Sequence, residues 1–308
     1  SPSSAASDVY KRQMQAFIYA YMRLLSGRFN KALVVGVTKC SEVKPYAIYS
    51  LIADPIYQRF VGVGYLSSLG LQAYQYITEY GVSEEIRAKV AVKNLSNAIR
   101  NPYADRKAKI TVNDVLNSKY IAYPLRELEV ASWADGAAAI LLASEREAKS
   151  ITDLPIWIKG VGWSVDHYYL GDRDLIKCEA LREAANKAYK MANIQNPKRE
   201  IDFAEICEYS TVQEMLWYEG LGFCKIGEGY KLIRDGITEI HGELPVNPSG
   251  GVLSTNPGVA TGLYRLTEAI LQLKGQAGDR QISNPEMALV HSTHGLAGQL
   301  HSIIILGV

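Results

Sequence analysis

"YMRLLSGRFNKALVVGV", Tyr21–Val37, runs from a helical pattern through a glycine into an apolar stretch of strand length. The same grammar returns near the C-terminus, where "LTEAILQLKGQAG" (Leu266–Gly278) is followed by "MALVHS" (Met287–Ser292). Upstream, Met14–Leu25 carries apolar residues on more than one face, as a buried helix does. Ala32–Val37 reads as a strand buried on both faces, and "ASWADGAAAILLAS" (Ala131–Ser144) as a turn leading into another buried strand. Val259, Leu263, Leu266, Ile270 and Leu273 step by four, three, four and three, a one-faced helix. A helix, a glycine and a buried strand used twice predict an α/β chain of layered architecture built from two similar packed halves.

Working outward, residues 61–100 read as helical with an interruption at Gly81. Ser83 is placed to cap the second helix, and Glu84 and Glu85 complement its dipole. "IWIKGVGWSV" reads as a strand, Cys178–Asn193 as an amphipathic helix, Ile201–Ser210 as a strand running into a loop, and "HSIIILG" as a last strand paired after a glycine turn. "SPSSAASDVYKRQ", residues 1–13, reads as a foreign leader rather than the start of a domain.

Composition excludes several classes. Of 308 residues, 48% are apolar and 21% charged, and 33 bases nearly cancel 32 acids for a net charge of +1. That balance predicts no nucleic-acid partner. The cysteines Cys40, Cys178, Cys207 and Cys224 are scattered without a CxxC pair, so neither a metal site nor a disulfide framework is expected, and the cytoplasm is the default compartment. No apolar run reaches about 18 residues, the length a membrane span needs. No GxGxxG or P-loop pattern supports a nucleotide module.

Candidate chemistry falls on three segments. In Cys207-Glu208-Tyr209-Ser210, Cys207 is either a nucleophile or a small buried residue, and Glu208 either a general base or an exposed loop acid. In "HSTHGLAG", His291 and His294 are either base and oxyanion donor or satisfied structural residues, whereas His301 is structural. "NPSGGVLSTNPGVATG" (Asn247–Gly262) holds four glycines and no acid, base, His or Cys. There Asn256 and nearby amides either polarise a carbonyl or simply cap the following helix.

Taken together, "SGRFNKALVVGV", "VAVKNLSNAIRNPYA", "ASWADGAAAILLASE", "LWYEGLGFCKIGEG" and the Asn247–Gly262 loop resemble the thiolase superfamily, most closely its sterol-carrier-protein and lipid-transfer branch. The resemblance implies a five-layer αβαβα fold of two duplicated halves, 14–152 and 153–308, the first incomplete. It implies acyl-CoA substrates with coenzyme A as the only cofactor-like group, a homodimer or dimer of dimers, and a small partner protein carrying a zinc ribbon and an OB fold. It also implies three departures. The family's nucleophilic cysteine falls near Tyr10, where this chain has none. Its Gly-His-Pro reads Thr255-Asn256-Pro257, and its His-Asp-x-Phe reads Cys207-Glu208-Tyr209-Ser210. His291 or His294 lies roughly where the family keeps a second catalytic residue. The expected catalytic set is therefore His291, Tyr209, Glu208 and Asn256, with Ser249, Gly250, Gly251, Cys207 and His294 binding substrate. The expected reactions are C–C bond formation or cleavage on a CoA thioester, retro-aldol cleavage of a β-hydroxyacyl-CoA, or CoA binding without catalysis.

Overall fold

A computed structural model describes residues 13–308; the leader and the position near Tyr10 lie outside the described residues. Two helices form the middle of the molecule, α1 (Gln13–Leu25) and, numbered below in chain order, α6 (Thr261–Leu273). Between them in sequence come β1 (Lys31–Thr38), α2 (Tyr65–Tyr80), α3 (Glu84–Ala98), β2 (Gly136–Ala143), β3 (Trp157–Val165), α4 (Glu179–Ala192), β4 (Phe203–Glu205) and α5 (Thr211–Gly220). After α6 follow β5 (Met287–His294) and β6 (Leu300–Gly307), with short helices and turns elsewhere.

Strands β1 and β2 pair antiparallel, Leu33 opposite Leu141. The second sheet has the order β3-β6-β5-β4, all antiparallel except the parallel β4/β5 pair. The central helices fill the space between the sheets: Phe17, Ile18, Leu263 and Leu266 meet Val34 and Ile140 on one side and Val290 and Ile304 on the other. Helix α4 covers the far face of the second sheet. There Gly162 lies so close that a Cβ would sit 2.0 Å from the Ala184 carbonyl oxygen, so only glycine lets strand and helix meet. The expected α/β class, with its repeated helix–strand unit, is what the chain builds: α1 leads to β1 as α6 leads to β5.

Capping and turns behave as their residues dictate. Ser83 accepts from the Ile86 amide at 3.4 Å, and Gly81 ends α2 at φ +64°.

Three expectations are corrected. β1 and β2 are buried on one face only, with Leu33, Val35, Val37 and Leu141 exposed on the other. A run of apolar residues reports apolar side chains, not two covering layers. Helix α1 is likewise one-sided, with Tyr19, Met22 and Leu25 facing outward. The strand expected over Ile201–Ser210 is only Phe203–Glu205, because the Asn247 side chain captures the next free amide, Ile206 N–H, at 2.8 Å and ends the ladder.

Gly162→Ala drives a methyl into the backbone of α4. Overpacking of this kind costs about 3 kcal/mol or more. Urea melts of the full chain should show the midpoint falling at unchanged slope, and an unmoved midpoint would refute the close packing.

Candidate active site

The Asn247–Gly262 loop is held from three sides by buried polar groups. From α3 and its C-terminal extension, Lys93 donates to the Val246 carbonyl (3.0 Å), Asn97 to that of Asn247 (3.1 Å) and Asn101 to that of Ser249 (2.9 Å). From β4, Glu205 accepts from the Ser249 amide (3.0 Å) and hydroxyl (2.8 Å) and pairs with Arg265 of α6 at 2.9 Å. From the segment after β4, Glu208 accepts from the Leu253 amide (3.0 Å), from Asn247 (2.9 Å) and from Asn94 (3.2 Å). Gly251 faces Glu208 so closely that a Cβ would lie 2.2 Å from its carboxylate, and its φ of +66° suits glycine.

Glu208 is therefore neither exposed nor open toward substrate. It is wholly buried, and burial with the nearby Glu214 carboxylate raises its pKa to about 8. Burial likewise lifts Glu205 to about 7 against the lowering pull of Arg265. Glu214 is itself paired with Lys93 at 2.5 Å and receives the Tyr218 hydroxyl. Ser249, expected to touch substrate, spends both its amide and its hydroxyl on Glu205.

At the far end of the loop, Asn256 is fixed by its own backbone. It bridges to Trp133, and its carbonyl accepts from the Ala134 amide at 3.0 Å. The Thr261 hydroxyl donates to the Gly258 carbonyl at 2.7 Å and lies 3.1 Å from Asn256 Oδ1. Asn256 Nδ2 is left wholly buried without a partner among the described residues. An unpartnered buried amide donor is costly, and Asn256 is one of several such groups among the described residues.

Side chains alternate along β5, and the alternation decides which expected residues meet. Ser292 faces the central helices, against Gly262 in the first turn of α6, and hydrogen-bonds the Cys207 thiol. Ser302 of β6 stands directly opposite it, its hydroxyl buried without a partner among the described residues. Burial pushes the Cys207 thiol up to about 12, so it stays protonated. His294, half-buried, ends the strand on the same side.

His291 points the other way, toward α5. It lies beneath Trp217, with ring centroids 5.6 Å apart, and its Nε2 meets His301 Nδ1 at 2.9 Å. His301 Nε2 donates to the Gly298 carbonyl (2.8 Å), which fixes the tautomers: His301 Nδ1 accepts and His291 Nε2–H donates. Burial holds both rings neutral, lowering His301 to about 3 and His291 well below its ordinary value. The expected meeting of His291 with Cys207 and Asn256 is therefore not formed, because the two faces of one strand separate them. Sequence reading missed Ser292, the residue that does face Cys207; a one-place shift in a strand exchanges the faces.

Tyr209 belongs to an aromatic wall. Its ring meets Tyr65 edge-on at 5.9 Å, Tyr65 lies 5.4 Å from Trp133, and Trp133 stacks on Tyr49 at 4.1 Å. Its hydroxyl donates to the Thr293 carbonyl at a long 3.4 Å, and burial raises the phenol well above its usual value. Among the described residues no group of acids, histidines and cysteines is arranged to hold a metal ion, and no helix is long and apolar enough to cross a membrane.

Comparison with known proteins places this geometry. An acetyl-CoA acetyltransferase of Methanothermobacter thermautotrophicus is 35% identical over 280 residues, covering 90% of this chain and 73% of that protein. The chain belongs to the thiolase superfamily. Residues 162–308 match the family described as "Thiolase C-terminal domain-like". Human sterol carrier protein 2 is 30% identical over 269 residues, 81% of this chain and 45% of that longer protein, in keeping with a sterol-carrier-type thiolase. Among solved structures, the "Ltp2-ChsH2(DUF35) aldolase" superposes with a TM-score of 0.85 at 24% identity, covering 97% of this chain and 78% of that one. A monomeric SCP2-thiolase-like protein of Mycobacterium smegmatis gives 0.70 at 18%, covering 97% and 61%. In this thiolase-superfamily chain the loop scaffold is complete, while the side chains gathered at the start of α6 are a thiol, an alcohol and an amide.

The buried carboxyls give a pH test. Their folded values, about 7 and 8, exceed the ordinary 4.5, so the folded chain keeps protons that the unfolded chain releases. The stability this confers is full below about pH 4.5 and is lost as pH rises through 7 to 8. The melting temperature should therefore fall between pH 5.5 and pH 8.5, and Glu208→Gln should flatten that fall even if it lowers stability throughout. An unchanged slope in the variant would remove Glu208 as its source.

Proposed function

We propose that this chain acts on β-hydroxyacyl-CoA thioesters, breaking or making the Cα–Cβ bond in the aldol sense. The observation that carries the reading is the set of side chains around the α6 start. Cys207, Ser292 and Asn256 exchange no proton near neutral pH, yet Asn256 offers a sealed donor and Tyr209 a hydroxyl nearby. Acyl transfer by a Claisen route needs a base to create a carbanion and a nucleophile to carry the acyl group. Aldol cleavage needs only that one hydroxyl lose its proton while an enolate oxygen is held.

In cleavage the β-hydroxyl gives its proton to the fraction of Tyr209 present as phenolate, a fraction that burial keeps small near neutral pH and that grows as pH rises. The β-carbon becomes a carbonyl, and the Cα–Cβ electron pair moves into the thioester, forming an enolate whose oxygen accepts from Asn256 Nδ2. Tyr209 then returns the proton to Cα, releasing a shortened acyl-CoA and an aldehyde or ketone. Glu205, Glu208 and the α3 asparagines act as positioning residues that hold the loop. The solved aldolase of the same fold supports the reading, as does its second component. A homodimer and a small zinc-ribbon/OB-fold partner belong to the same proposal, as does a cytoplasmic location.

Turnover of a β-hydroxyacyl-CoA by the full chain, with and without such a partner, tests it. Tyr209→Phe should lower kcat about 10²–10⁴-fold. Asn256→Ala should cost about 10²–10³-fold. Because burial holds the phenol protonated, the wild-type rate should climb with pH through the neutral and alkaline range, a climb that Tyr209→Phe loses. Preferred thiolysis of a β-ketoacyl-CoA would point instead to acyl transfer, the activity named for the 35%-identical relatives, with a nucleophile outside the described residues. Tight CoA binding without turnover of either substrate would leave a binding subunit.

A further inference from the structure

Most guanidiniums deeply withdrawn from solvent in this chain are neutralised: Arg87 by Glu129, Arg173 by Asp166, Arg265 by Glu205 and Arg280 by Glu268. Arg106, half-buried, is treated differently. Its Nε is sealed from water without a partner among the described residues, and the side chain makes one long hydrogen bond, to the Val130 carbonyl at 3.4 Å. No carboxylate lies within ion-pairing distance among the described residues. Tyr46, Glu127 and its chain neighbour Asp105 act on its charge, and Glu127 is turned to Lys119 at 3.6 Å. Desolvation accordingly pulls the Arg106 pKa down. An uncompensated charge in such a place is costly unless something anionic arrives.

The backbone sets this residue against the loop that leads to Asn256. Arg106 N–H donates to the Ser254 carbonyl (2.9 Å) and Asp105 N–H to the Thr255 hydroxyl (3.0 Å), directly before Asn256. Val130, whose carbonyl it touches, bridges to Ser210 beside Tyr209 and precedes Trp133. The guanidinium thus stands at the wall shared by the two segments that carry Asn256 and Tyr209.

We propose that Arg106 is an oxyanion subsite of the thioester site proposed above, receiving a phosphate of the CoA moiety or a carboxylate carried on the acyl group. The proposal rests on the acyl-CoA reading for its ligand, but the anion preference can be read without it. A planar guanidinium fork takes either group by two parallel hydrogen bonds.

The test uses the full chain and its Arg106→Gln and Arg106→Lys variants. In chloride buffer Arg106→Gln should melt no lower than the wild type, because the charge it removes has no carboxylate partner among the described residues. Sulfate or inorganic phosphate should stabilise the wild type and leave Arg106→Gln unmoved; equal stabilisation of both overturns the proposal. Calorimetric titrations then name the source. If Arg106→Gln weakens CoA at least tenfold, and dephospho-CoA less so, the 3′-phosphate is bound. If it weakens CoA and dephospho-CoA alike, the pyrophosphate is bound. If CoA is unaffected but glutaryl-CoA loses its advantage over butyryl-CoA, the carboxylate is bound. Equal affinities of wild type and variant for all four overturn the subsite. An anion effect that depends on Arg106, in a chain that binds none of the thioesters, would keep the subsite and sink the acyl-CoA reading. Should Arg106→Gln fail to fold, Arg106→Lys, with charge kept and fork lost, should show the same losses in reduced size, and unchanged affinities would count against the assignment.

Discussion

The contact on which the rest of the site depends is the buried ion pair between Glu205 and Arg265, with Ser249 joined to both. It ties a strand end, a glycine loop and a central helix into one unit: Arg265 reaches Glu205 at 2.9 Å and the Ser249 hydroxyl at 2.6 Å. Breaking such a pair from one side typically costs about 3–5 kcal/mol, because the surviving charge stays buried. The loop needs this support. Several of its residues adopt left-handed backbone, held by these polar contacts together with the burial of Val252 and Leu253 in the core.

Around that unit the polar groups are layered by purpose. Lys93, Asn94, Asn97 and Asn101 line up along α3 and its extension, and with Glu205, Glu208 and Glu214 they satisfy one another and the loop backbone. Most of their polar atoms are spent in this way, although Asn94 Oδ1 and Arg265 Nε stay buried without a partner among the described residues, as Asn256 Nδ2 does at the other end of the loop. The network fixes the frame of the loop.

The α/β class, the repeated helix–strand unit and most element positions were legible in the sequence, because apolar spacing and glycine punctuation record them directly. The faces were harder. "ALVVGV" carries no mark saying that only one side is covered, and "VHST" does not reveal whether His291 or Ser292 looks toward α6; strand register, fixed by β4 and β6, settles that. The α3 clamp did leave a signal, asparagines at 94, 97 and 101 on one helical face, which is unusual unless they bond something. The aromatic wall left a weaker one: 20 tyrosines against 5 phenylalanines show a chain that wants hydroxyls within its apolar surfaces, without saying where. Arg106 could not be found this way, since isolation from carboxylates exists only in three dimensions.

The one-sided first sheet has a kinetic consequence. Its two strands bond each other and rest on α1 and α6, while Leu33, Val35, Val37 and Leu141 gain nothing from the outer side. Two-stranded ribbons are weak by themselves. Amides of β1 and β2 should therefore open to solvent exchange through local fluctuations well before those of β5 and β6, which lie inside a four-stranded sheet covered on both faces. The molecule then has two zones of different firmness, and the site stands on the firmer one, with Tyr209, Asn256 and Ser292 anchored to the second sheet and its central helix.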